Sequence, residues 1–294
     1  MDIISAQNLS KFYGKHMGIQ NVTLSVKKGE IFGFIGPNGA GKSTTIRTLL
    51  GLLQPTDGAA TMLGEDAFGP NSHELRKRIG YLPSEVDYYQ EMNARELLEY
   101  HARFYDMDHA EERIETLAEQ FELDLEKQIT DLSFGNKKKC AILQALLHEP
   151  ELLILDEPTS GLDPLMQNRF FELLEQLNEE KGVTIFFSSH VLSEIQRMCD
   201  RAAIIRDGEI TAIEDITSLL SKQMKKVRLV FKEGEALPTL PEGASNAQDH
   251  GAKLTFDYVG PTSDLLQWMS SQPLHDATLE EPDLESIFMN YYRR

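Results

Sequence analysis

The sequence predicts an α/β fold: a largely parallel sheet with helices, interrupted by a helical insertion and followed by a small α+β appendage. Three observations predict it. Apolar runs of buried-strand type, IFGFIG (31–36), LLILD (152–156) and VTIFFSS (183–189), alternate with helical stretches. A polar, charged, helical segment occupies residues 85–149 between the first two runs. A separate group of strand and helix patterns begins at residue 217.

The elements follow in chain order. Residues 3–35 read as short strands, with VTLSV (22–26) alternating. A glycine-rich turn then leads into an apolar helix ending near Leu50. In the insertion, Asn93 is placed to cap a helix, with Glu96 in the capping-box position. Ile114, Leu117, Ala118 and Phe121 fall on one helical face. Asp163-Pro164 opens a helix carrying Phe170, Leu173, Leu174 and Leu177, and Gly182 follows its end. AAIIRDGEITAI (202–213) reads as a hairpin turning at Asp207-Gly208. Beyond it, residues 217–226 read as a connecting helix, VRLVF (227–231) and KLTFDY (253–258) as strands, and 262–271 and 283–292 as helices. A Pro/Gly-rich loop, 233–251, separates the two strands. The expected organisation is a core of residues 1–84 and 150–216, a helical subdomain 85–149 and an appendage 217–294.

Bulk properties narrow the function classes. The chain has 294 residues, 41% of them hydrophobic, enough for a sizeable core. Lys and Arg number 29 against 47 Asp and Glu, a net charge of −18. A nucleic-acid binder would more often be basic, so no nucleic-acid partner is expected. An anionic ligand needs a local cluster of donors instead. Cys140 and Cys199 read as small buried side chains in a reducing compartment. No stretch approaches the roughly 20 apolar residues that span a bilayer, and MDIISAQNLSKFYG lacks the features of a signal peptide. A cytoplasmic location is expected, with any membrane role exercised through a partner.

GPNGAGKST (36–44) fits G-x4-G-K-[S/T] between a predicted strand and a predicted helix. The run comprises Gly36, Pro37, Asn38, Gly39, Ala40, Gly41, Lys42, Ser43 and Thr44. Its glycines let backbone amides wrap phosphate oxygens, and the helix start favours the anion. Lys42 would reach the β- and γ-phosphates, and Ser43 would ligate Mg2+. LLILDEPTSGLD (152–163) delivers Asp156 and Glu157 to the C-terminal edge of a buried strand. Asp156 can hold Mg2+ directly or through water, and Glu157 is placed to polarise the attacking water. FFSSH (186–190) ends a third strand with His190, which could hydrogen-bond the γ-phosphate and position water.

These motifs, in this order over residues 3–220, resemble the ATP-binding subunit of an ABC transporter. The resemblance implies a P-loop NTPase core of RecA-like fold with an antiparallel β subdomain. SGLD (160–163) matches the family's D-loop, and Tyr13 stands where an aromatic stacks on adenine. LSFGNKKKC (132–140) resembles the signature LSGGQ, which binds ATP held by an opposite subunit. Ser133 can cap the following helix or donate to a phosphate, and Gly135 permits close backbone approach. Phe134 and Asn136 depart from the usual Gly and Gln. For Lys137, Lys138 and Lys139 two readings stay open: a solvated helix turn, or help with phosphate charge. YLPSEV (81–86) resembles the Q-loop with Ser84 in the glutamine position, where its hydroxyl could touch Mg2+ or water with shorter reach.

The resemblance also implies partners. MgATP would be enclosed at a head-to-tail dimer interface, in a homodimer or a heterodimer, and closure would drive a transmembrane permease subunit. The protein would then lie at the cytoplasmic face of the cell membrane. Tyr88 and Tyr89 in DYYQEM (87–92) either seat a partner's helix or pack the helical subdomain. The ending PDLESIFMNYY resembles the tails of ABC-2-type exporter ATPases, which points to export; its aromatics could equally form the appendage core. The alternatives are a non-transport ABC ATPase acting on nucleic acid or ribosomes, and a regulatory subunit with little turnover. One motif set without a coiled-coil insertion opposes the first; Glu157 and His190 oppose the second.

Overall fold

The computed structural model describes residues 1–294 except 87, 89, 90, 106, 217, 219–224, 233–237 and 281–294. The described chain divides into two compact units, Met1–Glu214 and Asp215–Arg294.

The first unit begins with two long strands, β1 (Asp2–Tyr13) and β2 (His16–Lys27), joined by a tight turn. With β4 (Asp57–Met62) and β5 (Glu65–Asp66) they form an antiparallel sheet in the order β2-β1-β4-β5. The sequence reading of short strands here underestimates the length: register shifts along the β1–β2 ladder break the alternation while the pairing continues.

The second sheet has six strands in the order β10-β9-β3-β8-β7-β6. Its members are β3 (Ile31–Ile35), β6 (Ile79–Leu82), β7 (Leu152–Asp156), β8 (Thr184–Ser189), β9 (Arg201–Arg206) and β10 (Glu209–Asp215). The inner pairs β9–β3, β3–β8, β8–β7 and β7–β6 are parallel. β3, β7 and β8 are buried along their whole length, which is why they read as continuous apolar runs. β9 turns into β10 at Asp207-Gly208, both at positive φ, as a two-residue hairpin requires.

Helix α1 (Lys42–Leu49) shares one core cluster with both sheets: Ile46 and Leu49 join Leu24, Met62, Phe34 and Ile154 there. Burying each such aliphatic side chain stabilises the unit by about 1.5–3 kcal/mol. α2 (Ser72–Arg76) leads to β6. The segment between β6 and β7 holds α3 (Ala94–Ala102), α4 (Ala110–Gln120) and α5 (Phe134–Leu147). Asn93 and Glu96 form the reciprocal capping box that starts α3. Ile114, Leu117, Ala118 and Phe121 are buried together on α4 and its end. α6 (Pro164–Lys181) is capped by Asp163 and closed by Gly182 at φ 66, and α7 (Leu192–Met198) follows β8.

The second unit is an antiparallel sheet, order β12-β13-β11-β14, with α8 (Thr262–Ser270) against it. Its strands are β11 (Lys225–Phe231), β12 (Ala244–Asp249), β13 (Lys253–Tyr258) and β14 (Leu274–Glu280). Two sequence expectations are corrected here. The expected loop 233–251 contains β12, and Lys225 and Lys226 belong to β11 rather than to a connecting helix. The remainder of that helix, apart from Ser218, and the helix expected at 283–292 lie outside the described residues.

Candidate nucleotide site

Parallel pairing assembles the site. The register sets Ile35 beside Ser189, Asp156 beside Ser188, and Leu82 beside Leu155. Four adjacent strand ends therefore release their chains at one edge. β3 gives the loop from Gly36, β8 gives His190, β7 gives Glu157, and β6 gives Pro83 and Ser84. This is the edge where ligands bind in open parallel sheets.

The loop 36–41 passes into α1 without an acidic residue in the first turn, so the helix N-terminus is unopposed. Gly41 adopts φ 109, a conformation that side chains resist. Gly36 is required by packing: a Cβ there would come within 2.5 Å of the Ile205 carbonyl oxygen. Lys42 is 5% exposed. Its ammonium donates to the carbonyls of Gly36 at 2.8 Å and Pro37 at 3.2 Å, and lies 3.2 Å from Glu157 Oε1. His190 Nδ1 lies 3.3 Å from the same oxygen. Glu157 adopts φ 48, an uncommon conformation costing about 1–3 kcal/mol, and its amide donates to the Ser188 carbonyl. That turn aims the carboxylate back along the sheet edge at Lys42.

Asp156 is fully buried. Its Oδ1 accepts from the Ser188 hydroxyl at 3.1 Å, while Oδ2 has no hydrogen-bond partner. A buried carboxylate oxygen of this kind is the chemistry of a cation ligand. A cavity of about 500 Å3 opens beside Lys42 and Glu157; Asp156 and His190 are not among its lining residues. Asn38, Gly39, Gly41, Lys42, Ser43 and Thr44 line one side; Ser84, Glu85, Glu157, Ser160 and Phe134 line the other. Tyr13 stands at its margin, its ring against Gly18, which also lines the cavity; Lys11 Nζ lies 5.4 Å from the ring centroid.

Ser133 caps α5, its hydroxyl accepting from the Asn136 amide at 3.3 Å. The first turn of α5 carries no acidic residue. A Cβ on Gly135 would come within 2.6 Å of the Gly161 carbonyl oxygen, so this glycine also serves contact with its own chain's 160–163 turn. Ser133 and Gly135 do not line the cavity around Lys42, whereas the neighbouring Phe134, 60% exposed, does. Among the three lysines, Lys138 is 1% exposed, which removes the solvated-turn reading for it; Lys137 and Lys139 are half-buried. The Tyr88 hydroxyl donates to the Lys137 carbonyl at 3.2 Å, so Tyr88 packs on the helical segment; Tyr89 lies outside the described residues, as does the aromatic tail.

Sequence reading missed Glu194. It is 8% exposed and accepts from the Thr159 hydroxyl at 2.6 Å and the Ser189 hydroxyl at 2.6 Å. The carboxylate thus ties the turn after Glu157 to the strand end that carries His190. The signal was present: Glu194 shares the inward face of α7 with Ile195 and Met198.

Comparison with known proteins agrees with this geometry. The ABC transporter family model matches residues 19–160. The bacitracin transport ATP-binding protein BcrA of Bacillus licheniformis is 42% identical over 296 residues, 98% of this chain and 96% of that one. The linearmycin resistance ATP-binding protein LnrL of Bacillus subtilis (strain 168) is 39% identical over 224 residues, 75% of this chain and 71% of that one. A solved ATP-binding subunit of an ABC transporter superposes with a TM-score of 0.68 at 34% identity, covering 74% of this chain and 91% of that chain. A dimeric ATP-binding cassette in a post-hydrolysis state, bound to ADP and Pi, superposes with a TM-score of 0.67 at 27% identity, covering 72% and 98%. The chain belongs to the ABC transporter family and is an ATP-binding, ATP-hydrolysing subunit.

Proposed function

We propose that two such subunits, arranged head to tail, enclose MgATP between the Lys42 loop of one and the Ser133-led helix start of the other, and that this closure drives a transmembrane permease at the cytoplasmic face of the membrane. The observation that carries the reading is the convergence of Lys42, Asp156, Glu157 and His190 on one sheet edge, with a second, Ser133-capped helix start that has no acidic residue in its first turn. Residues 1–84 and 150–216 serve as the nucleotide core, 85–149 as the subdomain presenting Ser133 and Gly135, and 217–294 as an appendage.

Lys42 exchanges Glu157 and its carbonyl partners for phosphate oxygens, while the amides of residues 36–44 cradle the anion. Tyr13 stacks on the base. Glu157, released from Lys42, orients and polarises the attacking water, and His190 holds the γ-phosphate end in line. Ser43 and Asp156 would hold Mg2+, with the Ser84 hydroxyl at its margin; the unpartnered Asp156 Oδ2 fits that role. Held there, the ion would supply positive charge that neutralises the phosphates. Phosphates approach a subunit of net charge −18, so these local donors must outweigh the long-range field.

The names of the relatives at 42% and 39% identity concern bacitracin transport and linearmycin resistance, and export of an antibiotic of that kind is the cargo assignment we adopt. No helix among the described residues is long and apolar enough to cross a membrane. The test is purification in mild detergent together with antibiotic susceptibility of a strain lacking the subunit. A copurifying multi-spanning protein and raised bacitracin sensitivity support the reading. Recovery of ribosomes or nucleic acid with unchanged sensitivity refutes it.

A further inference from the structure

Lys138 has no place in the mechanism above, yet it is among the largest fully buried side chains, at 1% exposure. Its ammonium donates to the carbonyls of Pro83 at 3.0 Å and Ser84 at 3.2 Å. These carbonyls belong to the loop leaving β6, whose Ser84 and Glu85 line the nucleotide cavity. The lysine itself sits one turn into α5, the helix capped by Ser133. One buried cation therefore joins the helix start proposed to meet the partner's ATP to the loop that borders its own chain's ATP.

Burying an ammonium is costly unless it is well paired. Burial pushes the Lys138 ammonium down to about 8, while the nearby charges of Asp156 and Glu157 work the other way. An apolar residue would fill this position without that cost.

We propose that Lys138 is a positioning residue that couples the two nucleotide sites, transmitting engagement of the partner's ATP at residues 133–136 to the 83–85 loop of its own chain. The proposal rests on the head-to-tail reading above. It differs from that reading in predicting what one side chain does after the helix start has engaged.

The test is hydrogen exchange read by mass spectrometry on the full chain, with and without a non-hydrolysable ATP analogue. In the unmodified protein the analogue slows exchange at 133–137 and at 83–86. Lys138→Met keeps the apolar stem and loses the donors. In that variant slowing at 133–137 persists, while slowing at 83–86 falls by about tenfold, as loss of charge-assisted hydrogen bonds implies. Its kcat falls about 10- to 100-fold with analogue affinity within about twofold, and Lys138→Arg recovers most of the loss. Should Lys138→Met fail to fold, Lys138→Leu, which likewise lacks a donor, carries the same two readings. Equal slowing at 83–86 in the variant and the unmodified protein overturns the proposal. Absence of slowing at 133–137 in the unmodified protein overturns the head-to-tail reading, and this proposal with it.

Discussion

Glu157→Gln separates two roles that the geometry assigns to one carboxylate. In the structure Glu157 Oε1 lies 3.2 Å from Lys42 Nζ, with the side chains 22% and 5% exposed. With an effective dielectric constant of about 20, Coulomb's law gives roughly 5 kcal/mol of raw attraction at that separation. Desolvation of Lys42 and residual hydration of Glu157 remove most of it, leaving about 1–2 kcal/mol. ATP must displace this contact to reach Lys42. Removing the negative charge should therefore tighten binding of a non-hydrolysable ATP analogue about 5- to 30-fold. Hydrolysis should fall about 10²- to 10⁴-fold, because the amide cannot accept the water's proton. Calorimetry with the analogue and single-turnover phosphate release measure the two effects on one preparation. Chromatography at saturating MgATP should show a dimer. A variant that binds no more tightly and releases phosphate within about tenfold of the unmodified rate would refute the assignment of both roles.

Lys42→Ala should weaken ATP binding by at least about 100-fold, the loss of two or more charge-assisted hydrogen bonds to phosphate; unchanged calorimetric affinity would remove the loop from the site. Glu194→Gln leaves one of the two hydroxyls from Thr159 and Ser189 without its acceptor, and should cost about 1–3 kcal/mol in denaturant unfolding while lowering kcat more than affinity. An intact kcat in a destabilised variant would reduce Glu194 to a packing role. His148 contributes to the loss of stability in acid. Burial first, then the charge of His101, lowers its pKa to about 4, against about 6.5 in the unfolded chain. Between those values the unfolded chain holds the extra proton, so stability is full above pH 6.5 and declines as pH falls toward 4. In His148→Gln the drop in Tm between pH 7 and pH 5 should shrink; an identical drop would show that folding does not depress the pKa of His148.

Much of the site was legible because its chemistry is local. The phosphate loop needs only a strand, a glycine turn and a helix start, all within residues 31–49. Asp156 and Glu157 announced themselves as acids at the end of an otherwise apolar strand. Asn93 and Asp163 cap through side chains that reach amides three residues on, and Gly182 ends α6 through its positive φ, so these residue types suffice to place the helix ends. The appendage was harder. β12 is mostly exposed, polar and paired on one side only, and its backbone hydrogen bonds to β13 leave no apolar alternation to read.

By itself, then, the sequence determined the α/β class, the glycine-rich loop, the acidic strand end and the capped helix at Ser133. Tertiary structure alone decided the strand order that sets Glu157 between Lys42 and His190, the burial of Lys138 against the 83–84 carbonyls, and the Thr159–Glu194–Ser189 bridge. The physical reason is range. Propensity, capping and periodicity act over a few residues. Which charge meets which across a parallel sheet depends on pairing and register between segments far apart in the chain, and no single segment contains that information.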